Sequence, residues 1–360
     1  MNKFKFPMRY VPISATILVF FIVYLIGILC FENFGSPNVF MNLFINYAYL
    51  GIAAIGTALV ILTGGIDLSV GSVIAFTSIL IAKMVAPFGG VRYYLISGGV
   101  DYGLGNWIQF RGEQYWLQSY PCIFLTIALV LLIGILFGML QGWLIHNFSL
   151  PPFLVTLAGM FFIRGCGFIV SEESIGIKNN PVFNFIQDDL TITLSKGLHL
   201  RFIVMLYIAI LIVAIIFSQR TRAGRSIYAI GDNELAATLM GIPVGRTKIM
   251  TYTIAGFCSA LAGVVYAIFL KAGNPLNCVG LEMDAIAAVV IGGTLLTGGV
   301  GYVFGSLFGV LVLGLIQTLI QFNGHINSWW TRIIVGLLVL AFIFMQNLIT
   351  KISKSKSKSQ

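Results

Sequence analysis

The sequence predicts an all-α polytopic membrane protein of about ten transmembrane helices, some of them discontinuous, and three observations predict it. Hydrophobic residues make up 58% of the 360 and charged residues only 9%, where a soluble chain carries about a quarter charged. Between Glu32 and Lys83 the single charge is Asp67, so about fifty consecutive residues read as membrane-embedded. Basic residues gather beside hydrophobic runs in three segments: Lys3, Lys5 and Arg9; Arg220, Arg222, Arg225, Arg246 and Lys248; and Lys351, Lys354, Lys356 and Lys358. Positive-inside topology leaves that distribution. The net charge of +9 is therefore spread rather than patched, and nucleic acid is excluded as a partner.

Taken in order, the apolar run from Pro12 to Cys30 is long enough to span, and no small-x-small cleavage pattern follows it. It is expected as a retained first helix. Further uncharged stretches predict helices near 46–63, 71–86, 121–145, 152–170, 202–217, 250–270, 284–297, 300–321 and 333–349. The second and third of the ten are alternatively one broken helix plus a short one. An even count puts both termini on one side, the cytoplasm, with the 218–249 segment beside them. The opposite loops agree. Residues 171–201 hold Glu172, Glu173, Asp188 and Asp189 against Lys178, Lys196 and Arg201, and residues 272–284 hold Glu282 and Asp284 with no base.

One transmembrane domain is thus expected over 1–349. Residues 87–120, with Tyr93-Tyr94, Trp107 and Trp116, are too polar and glycine-broken to span. They read as an outside insertion loop with interfacial aromatics, or as a docking surface. Residues 350–360 read as a disordered basic tail inside, each Lys adding about 1 kcal/mol of attraction to an anionic leaflet.

Small residues at four-residue spacing, Gly134, Gly138 and Gly142 and then Gly301, Gly305 and Gly309, predict close helix packing on the fourth and ninth helices. A short echo links Ile52-Ala53-Ala54 before Gly64-Gly65 with Ile286-Ala287-Ala288 before Gly292-Gly293. Duplication and chance both explain it. The five cysteines (Cys30, Cys122, Cys166, Cys258, Cys278) and three histidines form no metal-ligand or CxxC pattern, so no cofactor, metal or disulfide framework is expected.

Asp67 lies in Gly64-Gly65-Ile66-Asp67-Leu68-Ser69-Val70-Gly71-Ser72. A carboxylate at the centre of a spanning helix costs roughly 2.5–3.5 kcal/mol, so it needs a reason. Two are open and compatible: Asp67, Ser69 and Ser72 form a polar lining at a helix break, or Asp67 caps the following helix through amides near Ser69 and Val70. Arg164, isolated among phenylalanines, is expected to snorkel to the interface, with a pathway role as the alternative. Residues 231–248 differ in kind. They predict a short amphipathic helix between two spans, capped by Asp232 or Asn233 and ended by Gly241 and Pro243. Spanning does not require such a helix, and a soluble partner could receive it in a groove.

No nucleophile–base pair, HExxH, paired carboxylates or GxxxxGK[ST] loop occurs, so the chain is not expected to be an enzyme. A proton-coupled transporter or channel would need several buried ionisable residues, and an intramembrane hydrolase a Ser–His or paired-Asp constellation at membrane depth. Neither pattern is present.

Four stretches together resemble the membrane permeases of bacterial ABC-type sugar importers, the ribose, galactose and autoinducer-2 group: Gly64–Ser72, Pro152–Met160, Gly231-Asp232-Asn233 with Ala236-Ala237 and Gly241-Ile242, and Asp284–Thr294. The likeness runs from about residue 12 to 349, and Arg164 to Gly176 is most similar to the galactofuranose importer permease. The loop at 87–120 is longer than the family's short connection. The resemblance implies the ABC importer permease fold and a transporter without covalent chemistry. It implies a cytoplasmic ATP-binding subunit as motor, a periplasmic sugar-binding protein as donor, a second permease subunit as heterodimer partner, and surrounding lipid. On it, Asp67, Ser69, Ser72 and Thr156 are expected on the substrate pathway. Gly231, Asp232, Asn233, Glu234, Ala236, Ala237 and Gly241 are expected to couple to the ATPase.

Overall fold

Helices carry almost all of the described chain. The computed structural model describes residues 11–89, 115–177, 181–195, 198–324 and 329–358. The first five helices are α1 (Val11–Cys30), α2 (Pro37–Leu62), α3 (Val70–Gly89), α4 (Tyr115–Asn147) and α5 (Pro152–Val170). Next come β1 (Ile175–Gly176), α6 (Pro181–Asn184), a π-helical turn over Phe185–Asp189, and the hairpin β2 (Thr191–Ser195) and β3 (Leu198–Arg201). Then follow α7 (Phe202–Arg220), α8 (Arg222–Asp232), α9 (Glu234–Leu239), α10 (Val244–Leu270), β4 (Ala272–Gly273), α11 (Leu281–Ile291), α12 (Val303–Asn323) and α13 (Trp329–Lys358). Strands β1 and β4 pair antiparallel, tying the segment after α5 to the end of α10.

Among the described residues eight helices are long and apolar enough to cross a bilayer, where ten spans were expected. The other two expected segments, 71–86 and 284–297, form α3, whose apolar part is the shorter Val70–Val85, and α11. At about 1.5 Å per residue α11 is only ~16 Å long, half a hydrocarbon core. Backbone breaks at 63–69 and 292–302 separate α3 from α2 and α11 from α12. A broken helix is tolerated at membrane depth because the surrounding helices bury and satisfy its free ends.

The helices sort into two layers. α2, α10 and α12 are buried over most of their length, with α3 and α11 among them. α1, α4, α5, α7 and α13 form the outer layer and leave Leu29, Leu125, Ile169, Val213 and Leu340 exposed. Those apolar outer faces suit lipid, which resembles them in polarity.

The glycine ladder of α4 works as expected. Cβ atoms at Gly134, Gly138 and Gly142 would strike α10 at Ala260 and Gly256, at the Tyr252 carbonyl, and at Ile249. Gly305 and Gly309 likewise let α12 approach the α11 carbonyls of Gly292 and Ala288, but Gly301 precedes α12 and packs on Thr294 instead. Gly138→Val should therefore lower stability by roughly 1–3 kcal/mol, the usual range for overpacking. The check is the thermal midpoint of the detergent-solubilised protein; an unchanged midpoint would mean that α4 and α10 do not need this contact.

Two local expectations are corrected. Arg164 does not snorkel: its Nη1 donates to the carbonyls of Pro275 at 3.3 Å and Asn277 at 3.5 Å, pinning the turn before α11 onto α5. The basic tail is helical through Lys358, as a continuation of α13, rather than disordered. The short helix expected within 231–248 is α9, capped by Asn233 and ended at Gly241, and a further helix, α8, leads into it. The core of the 87–120 insertion, residues 90–114, lies outside the described residues.

Candidate functional site at the helix breaks

α2 ends in a Schellman closure. The Gly64 amide donates to Ile61 O at 2.8 Å and the Gly65 amide to Val60 O at 3.1 Å, with Gly64 at φ 79°, the left-handed conformation this closure needs. α11 ends in the same way, the Gly293 amide reaching Val290 O at 2.9 Å and the Thr294 amide Val289 O at 3.2 Å. The echo between the two glycine pairs is thus a shared way of stopping a helix, offset by one residue.

Carbonyls at each stop also accept from other elements. Leu62 O accepts from the Gly299 amide at 3.0 Å, which joins the two breaks directly. Val290 O accepts from Gln346 Nε2 of α13 at 3.1 Å, and Ile291 O from the Thr16 hydroxyl of α1. Buried backbone acceptors need such partners, since an orphan costs about 1–3 kcal/mol.

Asp67 sits inside the first break and is buried, at 2% exposure. Its Oδ1 accepts from the Ser69 amide at 2.8 Å and from Ser69 Oγ at 2.6 Å, so it caps the entry to α3. Ser72 Oγ donates to Ser69 O at 2.9 Å in the first turn of α3. From α4, Gln141 approaches Ser69 Oγ at 3.3 Å. A hydroxyl donates once, and Ser69 gives its proton to Asp67. Gln141 Oε1 is thus a second, longer neighbour of that hydroxyl, and Gln141 Nε2 is buried without a partner. Gly159 makes this reach possible: a Cβ there would occupy the place of Gln141 Nε2. From α5, Thr156 Oγ1 lies 2.9 Å from Pro152 O of its own helix and 3.2 Å from Ile66 O, and from α10 the Tyr252 hydroxyl lies 3.5 Å from the same Ile66 oxygen.

The four expected pathway residues thus meet at one place. Ser72 and Thr156 are fully buried, and the carboxylate is spent on a cap. Gln141 and Tyr252, which complete the cluster, were missed by sequence reasoning. Gln141, a polar residue deep in the apolar α4, was the available signal.

Of the expected coupling residues, Gly231 and Asp232 lie on the same junction, and the others form α9 and its ends. Gly231 lies against Leu62 O and the Gly299 amide, and a Cβ on Gly299 would come within 2.7 Å of the Asp232 Cα. α8 therefore ends on the bond that joins the two breaks. Asp232 is its last residue, and Asn233 is the cap of α9, its side chain accepting from the Ala236 amide at 3.0 Å. Ala237 is buried against Ile230 and Val244. Glu234 bridges to Lys248 Nζ at 2.7 Å, holding α9 to α10; an exposed pair of this kind contributes under about 1 kcal/mol. Gly241, at φ 77°, closes α9 with the Ile242 amide on Ala237 O at 3.0 Å. The outer side of α9 is apolar and open: Leu235 is 79% exposed, Leu239 90% and Met240 68%.

Among the described residues no group of three His, Cys, Asp or Glu could hold a metal ion. The site offers mechanical linkage between helix ends, with no reactive constellation.

The family described as branched-chain amino acid transport system, permease component, matches residues 39–343. The inner membrane ABC transporter permease protein YjfF of Escherichia coli is 42% identical over 351 residues, 98% of this chain and 96% of its own length. The fructose import permease protein FruG of Bifidobacterium longum is 34% identical, covering 98% of this chain and 95% of its own. The ribose import permease protein RbsC of Haemophilus influenzae is 32% identical, over 91% of each chain. No solved structure matches. With these matches spanning both helix breaks and α8–α9, the chain belongs to the permease-component family of ABC importers, in the group of ribose/galactose-type permeases.

Proposed function

We propose that this chain is the transmembrane permease of an ABC importer that carries a monosaccharide across the bacterial inner membrane by alternating access. A separate cytoplasmic ATP-binding subunit supplies the free energy, a periplasmic binding protein delivers the sugar, and a second permease subunit completes the pathway. Both termini and α8–α9 face the cytoplasm. The chain itself does no covalent chemistry.

One observation carries the reading. α9 presents Leu235, Leu239 and Met240 outward on a capped, clamped helix, while α8 beside it abuts the hydrogen bond between the two helix breaks. A partner gripping α9 would press on the place where the inner helices are interrupted. In this reading Asp67, Ser69, Ser72 and Thr156 serve the pathway by holding its inner closure. A ligand shifts such an equilibrium only by its differential affinity for the two states, and ATP binding to the motor supplies that difference.

The sugar class is supported by relatives named for fructose and ribose import. Both sugars form five-membered rings in water, as galactofuranose does, and a furanose is the narrower proposal. The test is uptake of labelled D-ribose, D-fructose, D-galactofuranose and D-xylose into vesicles holding the chain with its second permease subunit, the binding protein inside the assay, with and without the ATPase subunit. Uptake of one of them only with ATP is expected. Uptake at full rate without ATP overturns the importer reading.

A further inference from the structure

Resting on the reading that a second permease subunit completes the pathway, we infer where that subunit docks: on the turn 274–280 and the first turn of α11. The turn lies deep between the helices. Gly273 stands against α3 at Ser78 and Ile79, and five residues on, the Cys278 carbonyl lies 2.6 Å from where a Cβ on Gly71 would stand. The chain therefore runs back along α3 from Ile79 to Gly71, ~12 Å at the helical rise. From there α11 continues for ~16 Å to the break that meets the end of α2. Arg164, which holds the turn, is itself twelve residues past Pro152, ~18 Å along an α5 of ~28 Å. Both measures put the turn well inside a ~30 Å hydrocarbon core.

Irregular backbone at that depth does not face lipid; it is covered by protein or lines a wet cavity. This stretch is nevertheless open on its outer side. Leu276 is 60% exposed, Val279 56% and Met283 58%, and Asp284 is exposed beside them. Arg164 of α5 borders the face on one side. Arg332 of α13 borders it on the other, 3.2 Å from where a Cβ on Gly280 would stand.

Each simple environment fails half of this surface. Lipid would accept Leu276, Val279 and Met283 but strand the Asp284 carboxylate and the irregular backbone. Water would accept the carboxylate and leave three large apolar side chains unburied. A protein face, which combines apolar contacts with placed polar groups, serves both. Its owner has to be embedded at the same depth, which sets aside the soluble ATPase subunit and the periplasmic binding protein. The second permease subunit is the partner that shares the bilayer.

Photo-crosslinking in the assembled importer tests the assignment. Met283→p-benzoylphenylalanine puts a photoreactive ring on this face, and Leu132→p-benzoylphenylalanine puts one on the outer side of α4, where Leu132 is 54% exposed. After illumination in nanodiscs, mass spectrometry identifies each adduct. The adduct with the second permease subunit is expected at least tenfold more from position 283 than from position 132. Val279→Arg is expected to lower the second permease subunit recovered with the tagged chain at least tenfold, with the ATPase subunit still bound through α9. Position 283 joined only to lipid, to a soluble subunit, to another copy of this chain or to nothing overturns the interface. ATP-driven uptake by the unsubstituted importer judges the importer reading separately, so that reading survives such a result. A preparation that transports without any second permease subunit overturns the two-permease reading, and this interface with it.

Discussion

Replacing Leu235 and Leu239 together by aspartate is expected to abolish ATP-driven uptake while leaving the chain folded in the membrane. Both side chains are open to solvent and make no part of the core, so the fold loses little. A partner that buries them would gain about 1.5–3 kcal/mol from each, and burying a carboxylate there is unfavourable as well. Losing at least ~3 kcal/mol weakens association more than ~100-fold at 1.4 kcal/mol per decade. Co-purification of the ATPase subunit with the permease measures this directly, and vesicle uptake measures its consequence. Should the double variant retain its ATPase subunit and transport at the normal rate, the motor does not grip α9.

Gly231→Val is expected to separate ATP hydrolysis from transport. Its Cβ would land on the Leu62 carbonyl and the Gly299 amide, the two ends of the hydrogen bond that joins the breaks. Two buried backbone groups would lose their partners, at about 1–3 kcal/mol, and overpacking adds a similar amount. The surface of α9 is untouched, so the ATPase subunit should still bind and turn over. Uptake should fall to background. Gly241→Ala makes the contrast, because nothing lies within 4 Å of its Cβ and the cost is only the ~1–2 kcal/mol of a left-handed backbone. Wild-type uptake by Gly231→Val, measured beside its ATPase rate, would remove this junction from the transport cycle.

Much of the fold was legible because lipid imposes simple rules on a chain. Length and apolarity placed α1, α5, α7 and α12 to within a turn or so, whereas α4 and α10 begin six residues early, α13 runs nine past the expected 349, and α2 begins nine before the expected 46, at Pro37 behind the Ser36 cap. Hydropathy does not distinguish a residue facing lipid from one facing another helix, so it counted the short, buried α11 as a full span. The α4 ladder was legible since glycine at every fourth position has few uses other than close approach. The same spacing misplaced Gly301, which precedes α12 in backbone that is already extended at the Tyr302 cap.

The candidate site divides similarly. Asn233 as a cap and Gly241 as a stop followed from local backbone chemistry, which neighbours in sequence decide. Asp67 was open between cap and lining, and its burial on Ser69 settled the cap. Arg164 was misread because its partners, the carbonyls of Pro275 and Asn277, lie more than a hundred residues away.

By itself the sequence determined that this protein lives in a membrane, where its helices run, and which short polar segment stands outside them. Those follow from transfer energies and turn preferences, summed residue by residue. Only the tertiary structure decided that the ends of α2 and α8 meet the break after α11, at Leu62, Gly231 and Gly299, and that Gln141 reaches Ser69 through the gap at Gly159. Contacts of that kind depend on which helix faces stack, and residues far apart in the chain carry no local mark of one another.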